Sequence, residues 1–262
     1  RTVARLSKAQ PTHFMAKMEN TFLNRRRFLQ HSAAGVTTAA LAKRHSLQAA
    51  NKAANKLRVG VMGLGRGMAH VKNYLKLSDV EVVYVCDVDD NRTANGLSVV
   101  TKSQAAACRG ITDLRRMLDD PHLDAISIAA PNFWHAPATI LGCQSGKHVY
   151  VEKPMSHDVH EGRVAVEAQR KYGVVIQHGT QQRSSANVAG LHEMINAGKF
   201  GKLKISYGYC CKPRTGIGFK SPSAPPPNLD WNLWRGPAVI DTYHENYVHY
   251  NWHWFWETGN GD

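Results

Sequence analysis

The feature that most constrains this chain is the stretch Leu57 to His70, LRVGVMGLGRGMAH, with Asp87 standing 22 residues after Gly65. Val59, Val61 and Met62 supply the apolar bulk of a buried strand, and Gly63 and Gly65 then permit backbone conformations and close approaches that a Cβ would block. Arg66 to Leu77 continues as an amphipathic helix, and Val80 to Cys86 reads as a second strand ending at Asp87. The exposed N–H groups of such a turn and the positive end of the helix that follows make an anion site. A carboxylate at the end of the next strand is placed to accept hydrogen bonds from the adenosine ribose of a dinucleotide. Asp87 also repels a 2′-phosphate, which favours NAD over NADP, although Arg92 is near in sequence. The third position of the glycine fingerprint is irregular: Met68 occupies it, and Gly67 comes one residue early. A packed βα turn with a helix-capping Asp is the plainer alternative.

The alternation continues beyond Asp87. Thr112 to Leu118 is expected as a short helix, Asp124 to Ala130 as a buried strand, Pro137 to Gly146 as a helix and His148 to Val151 as a strand. Asp158 to Tyr172 is a longer helix stopped at Gly173, and Val174 to Gln177 is another strand. Strands alternating with helices at this spacing predict a doubly wound parallel sheet. The texture changes near Gly179. Ser184 to Ala197 is a helix with Val188, Leu191 and Ile195 on one face, Lys202 to Cys210 alternates as a half-buried strand, and a loop rich in Pro, Gly and Ser runs from 212 to 228. The last part is dense in Trp, His and Tyr. The expected organisation is therefore a leader and linker at 1–56, a dinucleotide-binding domain at 57–178 and a second domain at 179–262.

The net charge of +13 invites a nucleic-acid reading, but residues 1–58 hold 12 Lys or Arg against one acid. The remaining 21 bases and 19 acids leave only +2 on the rest of the chain, so no basic binding face is implied and no nucleic-acid partner is expected. Within the leader, Arg25, Arg26 and Arg27 precede Phe28 and Leu29, an Ala-rich stretch and the small-x-small run Ala40 to Ala42. This resembles a twin-arginine export signal, implying a periplasmic or otherwise exported protein, with a basic disordered arm as the alternative. The apolar core of the leader is shorter than the about 20 residues a bilayer span needs, so no integral span is expected beyond a signal left uncleaved. The first residue is Arg1 rather than Met, and Met15 or Met18 is a candidate start. Five cysteines are an odd number without metal-ligand spacing; no metal site and no disulfide framework are expected, and Cys86 and Cys143 read as core.

Ligands of open α/β sheets bind beyond the carboxyl ends of the strands, which directs attention to Ala130, Pro131, Asn132 and His135, and to Glu152, Lys153 and Pro154. The set VGVMGLGRG, CDVDDNR, AAPNFWHAP and VYVEKP, in this order and spacing, resembles the Gfo/Idh/MocA family of nicotinamide-dependent sugar and polyol oxidoreductases over about residues 57–262. The resemblance implies a Rossmann-type domain followed by an α/β domain with an open, mainly antiparallel sheet that forms the substrate cleft and often an oligomer interface, hence a homo-oligomer at full length. It implies NAD held by Gly63, Leu64, Gly65, Arg66, Gly67, Met68, Asp87, Ala130, Pro131, Asn132, His135, Glu152 and Lys153. The matching lysine, Lys153, would touch both nicotinamide ribose and substrate and be the catalytic residue. A cation beside the reacting oxygen stabilises developing alkoxide charge, which is what removing a hydride from a hydroxyl-bearing carbon requires. Glu152 either orients Lys153 or faces solvent, and His135 is either a cofactor-side contact or the first turn of its helix.

Gln181 and Arg183 are candidate substrate hydrogen-bonders, or surface residues. The cluster Trp252, Trp254, Phe255 and Trp256 reads as core, with a sugar-stacking platform as the alternative. The stretches 177–183 and 250–262 resemble exported members of the family, some of which are NAD-dependent glycosidases. The His and Asp that commonly serve as acid or base would follow Asp262, so the chain resembles a fragment cut within its second domain. Three functions stay open on the sequence: a sugar or polyol oxidoreductase with tightly bound NAD, a redox-neutral NAD-dependent glycoside hydrolase, and an inactive fragment or carbohydrate-binding module.

Overall fold

The computed structural model describes residues 56–210 and 212–261. The leader, with its arginine run and small-x-small sequence, lies outside the described residues, as does Cys211.

Six parallel strands form one sheet: β1 (Leu57–Met62), β2 (Val80–Cys86), β3 (Arg109–Ile111), β4 (Ala125–Ile128), β5 (His148–Glu152) and β6 (Ile176–Gly179), in the spatial order β3-β2-β1-β4-β5-β6. The helices are α1 (Gly67–Tyr74), α2 (Asp90–Ser103), α3 (Arg115–Leu118), α4 (His135–Gln144), α5 (Val159–Tyr172), α6 (Ala186–Asn196) and α7 (Trp231–Arg235). The order reverses between β1 and β4, so the crevice at their carboxyl ends is the switch point where such sheets bind ligands. Strands covered on both faces are continuous apolar runs rather than alternating ones. Accordingly Val82, Val83, Tyr84, Val85 and Cys86 are all buried, some packing toward α1 and α2 and the others toward α3 and α4. Helix ends follow local chemistry. Asp89 caps α2 through the Asn91 and Arg92 N–H groups, Asp158 caps α5 through the Glu161 N–H, and Gly173 closes α5 in the left-handed conformation at φ 65°.

Beyond β6 the chain behaves differently from its pattern. Lys202 to Cys210 is not a strand: Leu203, Ile205, Tyr207 and Tyr209 are 65%, 66%, 82% and 83% exposed, and no neighbouring strand lies alongside among the described residues. Alternation makes a segment competent to pair, but the ladder forms only against another edge. The expected open antiparallel sheet is therefore absent from the described residues, where the antiparallel contact is the single bridge between Asp89 and Leu229. Helix α6 forms where its pattern places it, yet its Val188 and Leu191 are exposed.

The aromatic-rich segment returns to the parallel sheet. Leu229, Trp234, Ile240, Tyr243 and Tyr247 form a buried cluster with Phe133. Main-chain bonds stitch this segment to the end of β2, from the Asp230 N–H to the Val88 carbonyl and from the Asp90 N–H to the Asn228 carbonyl, both at 2.9 Å. No described helix is long and apolar enough to cross a membrane.

Candidate active site

The turn between β1 and α1 is set by a glycine that nothing else replaces. Gly63 has φ +84°, and a Cβ there would sit 2.5 Å from the Ala130 nitrogen and 2.6 Å from the Ala129 carbonyl carbon. The displaced third glycine also has a job: Gly67 opens α1 where a Cβ would meet Val61 Cγ1 at 3.1 Å and Ala129 Cβ at 3.4 Å, so its absence of side chain lets the helix sit close to the sheet. Met68 and Leu64 turn inward and pack with the β1–β2 core.

Asp87 ends β2 at the wall of the same crevice and is 8% exposed. Its Oδ2 accepts the Leu64 N–H at 2.6 Å and its Oδ1 accepts the Asp89 N–H at 3.0 Å. Burial pushes its carboxyl up, while the two N–H donors and the nearby Arg92 guanidinium pull the other way. The carboxylate thus braces the glycine turn from below and keeps lone pairs for a ligand hydroxyl.

At the end of β5, Glu152 is 4% exposed and ringed by donors. His70 Nε2 is 3.1 Å away, Gln181 Nε2 2.6 Å, the Lys153 N–H 3.1 Å and Arg66 Nε 3.4 Å. Burial raises this carboxyl, but the bonds from Gln181, His70 and the Lys153 N–H outweigh it, and the group is held below the usual carboxylate range. His135, buried at the start of α4, places its ring between the carbonyls of Pro154, at Nδ1, and of Ala130, 2.8 Å from Nε2. Desolvation holds its pKa below the ordinary histidine value.

These elements share one cavity of about 1070 Å³. Its walls bring together Gly63, Gly65, Arg66, Asp87, Ala130, Pro131, Asn132, His135, Glu152 and Lys153. Gln181 reaches the site indirectly, through Glu152, and Arg183 lies in a 3-10 turn at 181–184 outside the cavity lining. Trp252 lines the cavity and packs against the aromatic cluster, while Trp256 is 91% exposed.

Sequence reasoning passed over several wall residues. His178, Lys212, Arg214, Trp234, His249 and Asn260 all face the cavity. His249 Nε2 is 3.0 Å from Asp89 Oδ2, and Asn132 donates to Asn260, which in turn donates to the His157 carbonyl. For Trp234, His249 and Asn260 the signal in the sequence was the density of polar and aromatic residues after 228, which carries no spacing rule.

A dinucleotide fits this arrangement. The Gly63 turn leaves a cradle that any Cβ would fill, α1 begins at that turn, and a buried carboxylate ends the adjoining strand. Comparison with known proteins agrees. Residues 57–180 match the family model described as GFO_IDH_MocA, oxidoreductase family, NAD-binding Rossmann fold. Myo-inositol 2-dehydrogenase from Thermotoga maritima is 26% identical over 191 residues, covering 72% of this chain and 52% of that protein. A glycosyl hydrolase family 109 protein from Shewanella pealeana is 30% identical over 205 residues, covering 69% of this chain and 44% of that protein. Among solved structures, the WlbA dehydrogenase from Bordetella pertussis, in complex with NADH and UDP-GlcNAcA, matches with TM-score 0.52 and 27% identity over 56% of this chain and 45% of that one. The chain spans about half the length of the curated relatives it matches. Residues 57–180 thus form a Rossmann-type α/β fold similar to the NAD-binding domain of the Gfo/Idh/MocA oxidoreductases.

Proposed function

We propose that the protein is an NAD-dependent oxidoreductase that moves a hydride between a hydroxyl-bearing carbon of a sugar or polyol and a tightly held nicotinamide cofactor. The observation that carries this reading is the meeting of the Gly63 turn, Asp87 and Lys153 on the walls of one cavity. Bound NAD supplies the hydride acceptor. The glycine turn receives the pyrophosphate, and Asp87 accepts ribose hydroxyls with the lone pairs left by Leu64 and Asp89. Glu152 fixes the backbone N–H of Lys153, and His135 braces the loop on either side through Ala130 and Pro154. The Lys153 ammonium then stabilises the negative charge that grows on the substrate oxygen as its proton passes to solvent water. Gln181 holds the position of Glu152 through its side-chain bond, and Arg183 lies on the same 3-10 turn without lining the cavity.

The inositol dehydrogenase relative supports this assignment, and the family 109 relative favours a second reading in which NAD is reduced and reoxidised within one hydrolytic cycle. In the division we favour, 57–178 binds the cofactor and 179–262 serves the substrate, in a homo-oligomer. The arginine run at 25–27 supports export by the twin-arginine route to the periplasm. An exported enzyme meets little free NAD, so the cofactor should travel with it and cycle without release. The test is to mix the purified protein with a panel of sugars, polyols and aryl glycosides and follow NADH absorbance alongside aglycone release. Accumulating NADH supports the dehydrogenase, aglycone release without net NADH supports the hydrolase, and no dinucleotide recovered from denatured protein counts against both.

A further inference from the structure

His249, Tyr250, Trp252, Asn260 and Gly261, all from one stretch of the returning segment, line the cavity together with the strand ends. The two ends of this stretch are tied to different strand ends of the sheet. At one end His249 Nε2 lies 3.0 Å from Oδ2 of Asp89, just past Asp87 and the end of β2. Asp89 is buried, its Oδ1 accepts the Asn91 N–H at 2.9 Å and the Asn228 side-chain amide at 3.0 Å, and its own N–H is donated to Asp87. At the other end Asn132, past β4, donates to Asn260, and Asn260 Nδ2 donates at 2.9 Å to the carbonyl of His157, past β5. His157 Nε2 is in turn 3.3 Å from the Gly259 carbonyl.

Between its anchors the stretch holds its own shape. The buried Thr258 donates its hydroxyl to the Trp252 carbonyl at 2.7 Å, the Gly259 N–H reaches the Phe255 carbonyl at 2.8 Å, and the Gly261 N–H reaches the His253 carbonyl at 2.9 Å. Trp252 and Phe255 pack on the cluster that holds Phe133 and Trp234. The sheet order sets the ends of β2 and β5 three strand spacings apart, about 14 Å, on either side of the switch point. An NAD bound as proposed lays its adenosine ribose at Asp87, beyond β2, and its nicotinamide at Lys153, beyond β5. The stretch 249–261 makes the same crossing, from Asp89 to Asn132 and His157.

We propose that residues 249–261 are a strap that retains the bound dinucleotide, and that His249 is the positioning residue that latches it over the adenosine half through Asp89. The proposal rests on the reading of the cavity as an NAD site. One end of the strap has to lift before the cofactor leaves, so the His249–Asp89 pair governs the rate of release. To test it, isotope-labelled NAD is bound to the full chain and chased with an excess of unlabelled NAD. His249→Ala should release the label about 10-fold faster than the wild type, the scale of one hydrogen bond to a charged group, and Asn260→Ala several-fold faster. His249→Gln, which keeps a donor for Asp89, should restore most of the retention. Affinity for ADP-ribose should fall by about 5-fold or more in His249→Ala while that for nicotinamide mononucleotide shifts by less than about 2-fold, a split that general loosening of the fold does not produce. Both substituted positions are exposed, so the fold should survive, which melting curves without ligand check. A His249→Ala release rate within about 2-fold of the wild type overturns the proposal, and equal weakening of the two fragments overturns the latch at the adenosine end. Wild-type protein that takes up no labelled NAD removes the cofactor reading itself, and the strap with it.

Discussion

His70 Nε2 lies 3.1 Å from Glu152 Oε1, and this bond joins α1, which starts at the glycine turn, to the end of β5, which carries Lys153. The other ring nitrogen faces the Ser127 hydroxyl at 2.8 Å on β4, so one buried imidazole links three adjacent elements at the switch point. The carboxylate can only accept, so Nε2 is the donor of that pair. His70→Phe should leave Glu152 and Ser127 short of partners and cost about 1–3 kcal/mol of stability, read as a lower urea midpoint. Unchanged stability would show that Gln181 and water replace the histidine.

Gly63 and Gly65 should part company on substitution. Gly63→Ala forces a Cβ into the backbone at Ala129 and Ala130 at positive φ, and should both destabilise the fold by about 2 kcal/mol or more and abolish NAD binding. Gly65→Ala meets the end of the Arg92 side chain, which swings away, so the fold should hold while NAD affinity falls. Melting curves and NAD titrations on both variants check this. Equal melting temperatures would refute the difference.

Asp87→Ala should weaken NAD binding by about 1–3 kcal/mol and narrow the preference over NADP. It also removes the acceptor of the buried Leu64 N–H, so Asp87→Asn is the control that retains an acceptor oxygen. Titrations in which both variants bind NAD like the wild type would take Asp87 out of the site.

The parallel sheet was legible because its strands are apolar runs separated by Gly, Pro and Asp, and β2 forms over the residues its pattern marks, Val80–Cys86. Helix α2 and strand β3 were not expected: Asp90–Ser103 has only Gly96 and Val100 buried, too few for a stripe, and Arg109–Ile111 is a three-residue edge. The signal overlooked was the Asp89 cap. At the site, Gly63, Asp87 and Lys153 follow rules of spacing along one βαβ succession, whereas His249 and Asn260 arrive from more than 100 residues away by packing. The alternation at 202–210 shows the opposite failure, since pattern specifies a face but pairing needs a partner.

Lys153→Ala should lower the rate of hydride transfer by about 10²-fold or more while NAD binding persists, because the lysine acts on charge that appears only in the transition state. Single-turnover absorbance at the NADH band on protein saturated with NAD is the measurement. A near-normal rate would remove the lysine from the chemistry.

His135 gives a pH dependence whose sign follows from its burial. Its folded pKa lies below the ordinary 6.5 because desolvation disfavours the imidazolium, even though both ring nitrogens face carbonyls. Above that value the ring is neutral in both folded and unfolded chains and the group contributes no pH dependence. As pH falls below about 6.5 the unfolded chain takes up the proton first, so stability drops, by at most about 1.4 kcal/mol per pH unit for one group. Glu152 acts in the same direction but lower: its folded pKa lies below 4.5, so its contribution is complete above that value and is lost only as pH falls further. His249, also held below 6.5 by desolvation and by Arg92, adds to the upper window. Melting temperatures from about pH 8 to about pH 5 should therefore decline, and His135→Asn should flatten part of that decline while His249→Asn removes a separate part. A His135→Asn profile parallel to the wild type would mean that burial leaves the ring's affinity for a proton unchanged, and a steeper decline would mean that the buried ring keeps its proton, donating to Pro154 and Ala130 at once.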